Sequence, residues 1–265
     1  PVPIIIDTDM SIDCDDVGAL CIAHALMDLG KAKILAVVHD VGIPDGIGAV
    51  SVINHYYGRD DIPLGAFKGN FGRVYPHHYV KNLVKNFPSP IKNYSQVPEA
   101  VTTYRTVLSQ VDDLSVTIAS IGDLTNLENL LKSKADDISP LSGVELVSKT
   151  VKRIVIMGGK YPSSYTWPLP EWNFGGVGLA KCDDSGYKCP SASANYTIGH
   201  IPDTVELIFT GYEVGKRITS GAKMSTCLAE SNPCRQAYID REGFNNSRFS
   251  WDPSAILDAV LGIPE

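Results

Sequence analysis

Short runs of apolar, β-branched residues alternate along this chain with longer segments of helical periodicity. The runs predicted as strands are residues 2–6, 33–38, 63–66, 115–121, 153–157 and 206–210. Their composition is typical of buried strands. The segments predicted as helices are residues 16–29, 46–57, 100–111, a stretch after 126 that ends at 131, and 253–261. This alternation predicts an α/β fold with a mostly parallel open sheet and helices on both faces.

Two segments depart from the alternation. Residues 70–98 are rich in Gly, Pro, Asn and aromatic side chains, which predicts a long loop with some helix. Residues 160–192 have no clear period and are interpreted as an irregular insertion. Because we find no internal repeat and no low-complexity linker, we expect a single domain over residues 1–265.

Composition and charge narrow the classes of partner. The chain has 265 residues and a net charge of −7 without a basic stripe, which argues against a nucleic-acid surface. No apolar run approaches the roughly 20 residues needed to span a bilayer, so no membrane partner is expected. Sequons for N-glycosylation begin at Asn93, Asn195 and Asn245. Together with the cysteines, they favour a secreted, extracellular glycoprotein, and a homo-oligomer is an open option.

The six cysteines form three pairs, each seven positions apart. The pairs Cys182 with Cys189 and Cys227 with Cys234 lie in loop-rich sequence and are predicted to be local disulfides. Cys14 and Cys21 straddle a strand–helix junction, so we expect them to be reduced and partly buried. Pairs of buried thiols and metal ligands are the alternatives.

Five carboxylates lie within ten residues directly after the first predicted strand: Asp7, Asp9, Asp13, Asp15 and Asp16. They would repel one another in a folded protein, and a hard divalent cation with oxygen ligands would offset that repulsion. The alternative is a solvated acidic loop that caps the next helix. The position favours a site, because open α/β sheets bind ligands at the carboxyl ends of their strands.

The acidic cluster resembles the signature of the inosine-uridine nucleoside hydrolase family, Asp-x-Asp-x-x-x-Asp-Asp. The matching residues are Asp7, Asp9, Asp15 and Asp16. Further motifs follow in the family's order: Ile121-Gly122-Asp123-Leu124-Thr125-Asn126, Met157-Gly158-Gly159, Glu171-Trp172-Asn173 and Trp251-Asp252-Pro253. Five residues separate Asp9 from Asp15 where the common motif has three, a longer form that some members resemble. An ungapped alignment through Asp13 is less favoured, because Cys14 would then replace a carboxylate.

The resemblance implies Ca²⁺-dependent hydrolysis of the N-glycosidic bond of ribonucleosides, giving free base and ribose. It implies that Asp9, Asp16, Asp252 and the backbone carbonyl of Ile121 bind the metal, and that Asp9 is also the catalytic general base. A crowded set of oxygen ligands suits Ca²⁺ better than Mg²⁺. The alternative role of Asp16 and Asp252 is a plain helix N-cap, and that of Ile121 is an ordinary strand end.

The resemblance also implies the substrate contacts. Asp15 and Asp40 would hold the ribose hydroxyls, Glu171 and Asn173 would hold its 5′ side, and Met157 would line the sugar pocket. Their alternatives are a turn residue for Asp40, a polar loop for Glu171 and Asn173, and core packing for Met157.

The inosine-uridine branch of the family has His at the position of Trp251. The resemblance is therefore to the purine-specific branch, which has Trp there. Since a Trp ring can stack on a base, a purine nucleoside is the favoured small-molecule partner. The alternative for Trp251 is an aromatic anchor beside the helix.

Two other functions fit parts of the sequence. One is a secreted, catalytically inactive nucleoside hydrolase-like protein that acts in binding or signalling. The other is a phosphatase-like hydrolase with Asp7 as nucleophile, which ranks last because it gives the later motifs no role.

Overall fold

A six-stranded parallel sheet forms the centre of the molecule, with the strand order β3-β2-β1-β4-β5-β6. The computed structural model describes residues 1–70, 78–162, 171–175 and 189–262. The sheet strands are β1 (Val2–Thr8), β2 (Ala32–His39), β3 (Leu64–Ala66), β4 (Val116–Ser120), β5 (Val151–Met157) and β6 (Glu206–Thr210). A small antiparallel pair follows, β7 (Thr219–Ser220) and β8 (Arg248–Phe249). All six predicted sheet strands are confirmed within a few residues.

The helices cover both faces of the sheet. They are α1 (Asp15–Asp28), α2 (Gly46–Tyr56), α3 (His78–Asn86), α4 (Ala100–Leu108), α5 (Thr125–Lys132), α6 (Gly143–Thr150), α7 (Pro190–His200), α8 (Tyr212–Gly215), α9 (Met224–Cys227), α10 (Pro233–Glu242) and α11 (Trp251–Leu261). The sequence did not predict α6 to α10. Helix α6 has a Ser142–Glu145 capping box, and α7 and α10 each begin with a proline. These are start signals that could have revealed them.

Alternate residues of β1 enter two separate hydrophobic cores. Ile4 and Ile6 pack with residues of α1, α2 and α11 on one face, whereas Ile5 packs with residues of α4, α5 and α6 on the other. Successive side chains of a strand point to opposite faces, so a strand covered on both sides needs an unbroken apolar run. The predicted α/β fold class is therefore confirmed.

All six strands end at the same edge of the sheet, because they are parallel. Residues that follow β1, β2, β4 and β5 therefore lie along one edge, and they include Asp9, Asp40 and Ile121. Helix α11 packs against α1 and β5, which brings Asp252 to this edge from the far end of the sequence. This edge is where a parallel sheet builds its site.

The cysteine pairing differs from the sequence-based prediction. Cys21 of α1 and Cys234 of α10 form a disulfide with a Cα–Cα distance of 6.7 Å. The predicted bond between Cys227 and Cys234 is wrong, and so is a reduced Cys21, because packing of α1 with α10 joins cysteines 213 positions apart. Cys14 is free and buried, and Cys227 is free and exposed.

The third cysteine pair stays a prediction. Cys189 is disulfide-bonded, but Cys182 lies outside the described residues. No helix within the described ranges is both long enough and apolar enough to cross a membrane.

Candidate active site

A cavity of about 320 Å³ opens at the carboxyl edge of the sheet. That volume lies within the range of small-molecule sites. Its described lining residues are Asp9, Ile12, Asp13, Asp15, Ile121, Met157, Glu171, Trp172, Asn173, Tyr212, Arg248, Trp251 and Asp252. Eight of the ten predicted site residues are among them, and the other two, Asp16 and Asp40, are buried. A larger open groove lies beside α2, α3 and α10, and none of its described lining residues is a buried carboxylate.

Asp7 makes hydrogen bonds to two helices beside the site and does not line the cavity. Its carboxylate accepts hydrogen bonds from Tyr104 Oη at 2.9 Å and from Asn126 Nδ2 at 2.8 Å. Burial raises the pKa of Asp7 to about 7, although both hydrogen bonds lower it. Asp7 therefore connects β1 to α4 and α5, and this contact explains the Asn126 of the Leu-Thr-Asn motif.

Asp9 and Asp40 approach each other across Gly122. A Cβ at position 122 would collide with Oδ2 of Asp40 and would lie 2.6 Å from the backbone nitrogen of Asp9, so only glycine fits between them. Asp40 is fully buried, and no hydrogen-bond donor in the described ranges reaches its carboxylate. Burial, followed by the charges of Asp7 and Asp9, raises the pKa of Asp40. A turn-forming role alone does not account for such a buried carboxylate.

Asp16 and Asp252 lie in the first turns of α1 and α11, and neither is an N-cap. The N-cap residues are Cys14 and Ser250, and neither makes a side-chain capping hydrogen bond. Asp16 instead accepts a hydrogen bond from Thr8 Oγ1. Burial, followed by neighbouring carboxylates, raises the pKa of Asp252 and raises that of Asp16 to about 8. The capping alternative is therefore wrong for both residues.

Asp15 joins the two helix starts. Its Oδ2 accepts a hydrogen bond from the backbone N–H of Asp252 at 3.3 Å, while its buried Oδ1 has no hydrogen-bond partner among the described residues. The side chain is 2% exposed and lines the cavity. Burial and then the charges of Asp13 and Asp16 raise the pKa of Asp15. Asp15 is thus an acceptor available to a ligand.

The carboxylate and carbonyl oxygens at this edge are suitable ligands for a hard cation. Asp9, Asp16 and Asp252 are buried carboxylates, and the charges of Asp9 and Asp16 both raise the pKa of Asp252. A bound cation would reverse such shifts by favouring the ionised forms. The carbonyl of Ile121 accepts a hydrogen bond from Asn173 Nδ2 at 3.2 Å, which leaves it a second lone pair. As they stand, no three acidic, His or Cys side chains of the described residues converge closely enough to hold an ion.

Glu171 and Asn173 are buried and connect the ends of β4 and β5. The Glu171 carboxylate accepts hydrogen bonds from the backbone N–H groups of Gly159, Asn173 and Phe174 at 3.0, 2.7 and 2.9 Å. Burial raises the pKa of Glu171 to about 7 against the effect of these bonds. Asn173 Nδ2 also donates to the carbonyl of Met157 at 3.0 Å. Both residues are less than 10% exposed, so they belong to a buried loop and not to a solvated one, and their contact with substrate stays a prediction.

Aromatic side chains also line the cavity. The Trp251 ring stacks on Tyr212 with a centroid distance of 5.3 Å, and its Nε1 donates to the Tyr212 carbonyl at 2.9 Å. Trp172 is a further lining residue. These rings offer flat apolar surface beside the carboxylates, which suits a ligand with a polar part and a planar part.

Sequence reasoning missed five lining residues: Ile12, Asp13, Trp172, Tyr212 and Arg248. The position of Tyr212, just after the strand β6, was a usable signal, because the other site residues also follow strands. Arg248 gave no such signal, since β8 was not predicted.

The comparison with protein families identifies the relationship. The model of the inosine-uridine preferring nucleoside hydrolase family matches residues 4–176. The chain belongs to this family. The match includes the acidic cluster, Asp40, Met157, Glu171 and Asn173, but it ends before Trp251 and Asp252, whose place in the site rests on the geometry.

Several solved structures share the fold of this chain. A plant nucleoside hydrolase has a TM-score of 0.61 and 18% identity, with 98% of this chain and 79% of that chain covered. A purine-preferring ribonucleoside hydrolase from Gardnerella vaginalis has a TM-score of 0.63 and 16% identity, with coverage of 97% and 79%. The type III effector XopQ, complexed with adenosine diphosphate ribose, has a TM-score of 0.70 and 14% identity, with coverage of 99% and 82%. The chain has no match among curated protein sequences.

Membership of the nucleoside hydrolase family assigns this protein to N-glycosidic hydrolysis of nucleosides. The phosphatase-like alternative is at odds with the geometry. Asp7, its required nucleophile, is fully buried, bonded to Tyr104 and Asn126, and does not line the cavity.

Proposed function

We propose that this protein is a Ca²⁺-dependent N-ribohydrolase of purine nucleosides. The observation that carries the proposal is one cavity whose lining includes both the carboxylates Asp9, Asp15 and Asp252 and the rings of Trp172 and Trp251. Carboxylates suit a polyol and a divalent ion, whereas aromatic rings suit a planar base. A ribonucleoside has both parts.

The residues of this chain divide the chemistry between them. Bound Ca²⁺, held by Asp9, Asp16, Asp252 and the Ile121 carbonyl, would supply Lewis-acid polarisation of water and of the ribose diol. Asp9 takes a proton from the attacking water as general base. Asp15 and Asp40 accept hydrogen bonds from the ribose hydroxyls.

The 5′ side of the ribose is held at the segment that joins the ends of β4 and β5. The Glu171 carboxylate is fixed by three backbone N–H groups, and the Asn173 amide by the carbonyls of Ile121 and Met157. Such fixed groups lose little freedom when the sugar binds, which favours an accurate position of the anomeric carbon.

The charge of the cavity supports nucleosides over phosphate-bearing substrates. Five of the described lining side chains are carboxylates and one, Arg248, is a cation. A phosphate would meet net negative charge, even beside a divalent ion. The aromatic residues Trp172, Tyr212 and Trp251 favour a large base, since stacking contributes about 1–3 kcal/mol per base.

A hydrolysis assay on inosine, guanosine, adenosine and uridine tests the proposal. Release of free base is followed by chromatography with CaCl₂ and, in parallel, with EGTA. We expect purine nucleosides to be hydrolysed about tenfold faster than uridine, as about 1.4 kcal/mol of extra stacking would give, and EGTA to abolish turnover. No hydrolysis of any nucleoside would overturn the proposal, and equal rates for uridine would overturn its purine part.

A second candidate is nucleoside binding without turnover. The observation in its favour is that similar solved structures include two described as effector proteins. Calorimetric titration with inosine and Ca²⁺ separates the two functions, because a pure binding protein would give heat of binding and no free hypoxanthine.

We also propose that the protein is extracellular. The disulfide between Cys21 and Cys234 and the exposed sequon residue Asn245 support this location. Mass spectrometry of the protein from its native source checks it, and a glycan-free, reduced protein would contradict it.

A further inference from the structure

The longer spacing in the acidic cluster places one carboxylate where the common motif has none. Ile12 and Asp13 belong to the five residues between Asp9 and Asp15, and both line the cavity. Asp13 forms an ion pair with the guanidinium of Arg248, across 235 positions of sequence. The carboxylate added by the extra length of this loop therefore makes a specific long-range contact.

Arg248 also faces Asp15 from the other side. Its Nε lies 3.7 Å from Asp15 Oδ1, and neither of these buried atoms has a hydrogen-bond partner among the described residues. Its NH1 lies 3.9 Å from Oε1 of Glu242, and its guanidinium lies over the Trp251 ring at 5.1 Å. A guanidinium carries its N–H groups in a rigid fork, so fixing one side by Asp13 fixes the direction of Nε.

We propose that Asp13 and Arg248 form a positioning pair that holds Asp15 for the ribose hydroxyls. This inference rests on the proposed function. Asp13 orients the guanidinium, and the guanidinium attracts and orients Oδ1 of Asp15. Asp15 Oδ2 is already fixed by the backbone N–H of Asp252, so Arg248 controls the remaining freedom of the carboxylate.

The neighbouring carboxylates argue against two other roles for Arg248. Asp13, Asp15 and Glu242 all lie within 4.0 Å of it, so the group has little net charge to offer a phosphate. A tether for the loop is already present, because Arg241 Nε donates to the carbonyl of Ile12 at 2.6 Å. Arg241 provides a matched control, since it holds the same loop without lining the cavity.

The test uses binding of free ribose in the presence of Ca²⁺, measured by calorimetry on the full chain. We expect Arg248→Met to weaken ribose binding about tenfold, Asp13→Asn to weaken it about threefold, and the double variant to resemble Arg248→Met, because both act through one contact. Arg248→Lys recovers part of the loss, and Arg241→Met leaves ribose binding within twofold. Thermal unfolding confirms that each variant is folded.

A second measurement distinguishes an effect of Arg248 on the ribose from an effect on the leaving base. Inosine and p-nitrophenyl riboside share the ribose, but p-nitrophenolate leaves without assistance. Positioning of Asp15 predicts that Arg248→Met lowers kcat/KM about equally for both substrates. Loss confined to inosine would overturn the proposal and place Arg248 at the leaving base.

The remaining outcomes are also decisive. Unchanged ribose binding in Arg248→Met, or equal losses in Arg241→Met, would overturn the positioning role. Failure of the wild-type protein to hydrolyse either substrate would instead count against the proposed function.

Discussion

The two sides of the cavity are built in different ways. The strand-edge floor has Asp9 and Ile121 in the lining and the buried Asp7, Asp40 and Gly122 next to them, and it is formed by strand ends and connections within the range that the family model matches. The C-terminal wall, residues 211–215 and 248–252, lies beyond that match and is held by long-range contacts. The comparison teaches that the cavity joins a part that the family model covers to a part that it does not, since the backbone of Asp252 in the wall donates to Asp15 of the acidic cluster.

The floor side chains are buried, whereas Arg248 and Trp251 of the wall are partly exposed. Buried groups are fixed by packing, so substitutions there should affect the reaction itself. Under the proposed function, the partly exposed groups would contact the ligand, so their substitution should change affinity and substrate preference. Four predictions test this division.

Asp9→Asn should have the largest effect. Loss of a general base lowers rates by about 10²–10⁴-fold, and we expect kcat on inosine to fall about a thousandfold. Steady-state kinetics at saturating Ca²⁺ measures it, with Ca²⁺ affinity followed by calorimetry to separate the base role from the ligand role. Activity within tenfold of the wild type would remove Asp9 from the reaction.

Trp251→Ala should change the preference for inosine over uridine. Loss of a stacked base contact costs about 1–3 kcal/mol, so kcat/KM for inosine should fall about 10–100-fold and that for uridine by less. Trp251→Phe keeps a ring and is the matched control, with most of the inosine activity retained. If inosine and uridine lost activity equally, Trp251 would be a structural anchor only.

Cys234→Ser should weaken the connection between α1 and α10 without changing the chemistry. Removing a disulfide typically costs about 2–4 kcal/mol, so the temperature of thermal unfolding should fall while kcat on inosine stays within twofold. Cys227→Ser removes a free, exposed thiol and should leave the unfolding temperature unchanged. An equal effect of the two substitutions would contradict the bond between Cys21 and Cys234.

The last prediction concerns pH in the metal-free protein and acts on stability, not on the reaction. Burial raises the pKa of Asp7 and Glu171 to about 7 and that of Asp16 to about 8, above ordinary values of 3.8 to 4.5. The folded state therefore holds protons that the unfolded state releases, and the free energy of unfolding falls as pH rises from about 4 to about 8.

Thermal unfolding in EGTA between pH 5 and 8 measures this slope. Added Ca²⁺ should flatten it, because a bound cation favours the ionised carboxylates. Stability that rises with pH in EGTA would show that these groups are ionised in the folded protein.

The sequence predicted the floor well and the wall poorly, for a physical reason. Strand periodicity is a local pattern and predicted the sheet. The ten site residues came from the family resemblance, and eight of them line one cavity, including Trp251 and Asp252 of the wall. The partner of Asp13 could not be read locally, because Arg248 lies 235 positions away on a strand of two residues.

The prediction of the cysteine pairing failed for the same reason as the prediction of the C-terminal wall. Equal spacing suggested bonds between near neighbours, whereas packing of α1 on α10 joined Cys21 to Cys234. A disulfide requires that two cysteines lie close together in the folded state, and their separation along the sequence does not give that distance.

The hydrogen bond from the Asp252 backbone to Asp15 has a consequence for the protein during its synthesis. A ribosome would have made the entire sheet long before it added Asp252, so the nascent chain can pack its strands while the catalytic centre is still incomplete. Activity should then appear as a late, single step of maturation, and a chain released before α11 should be inert.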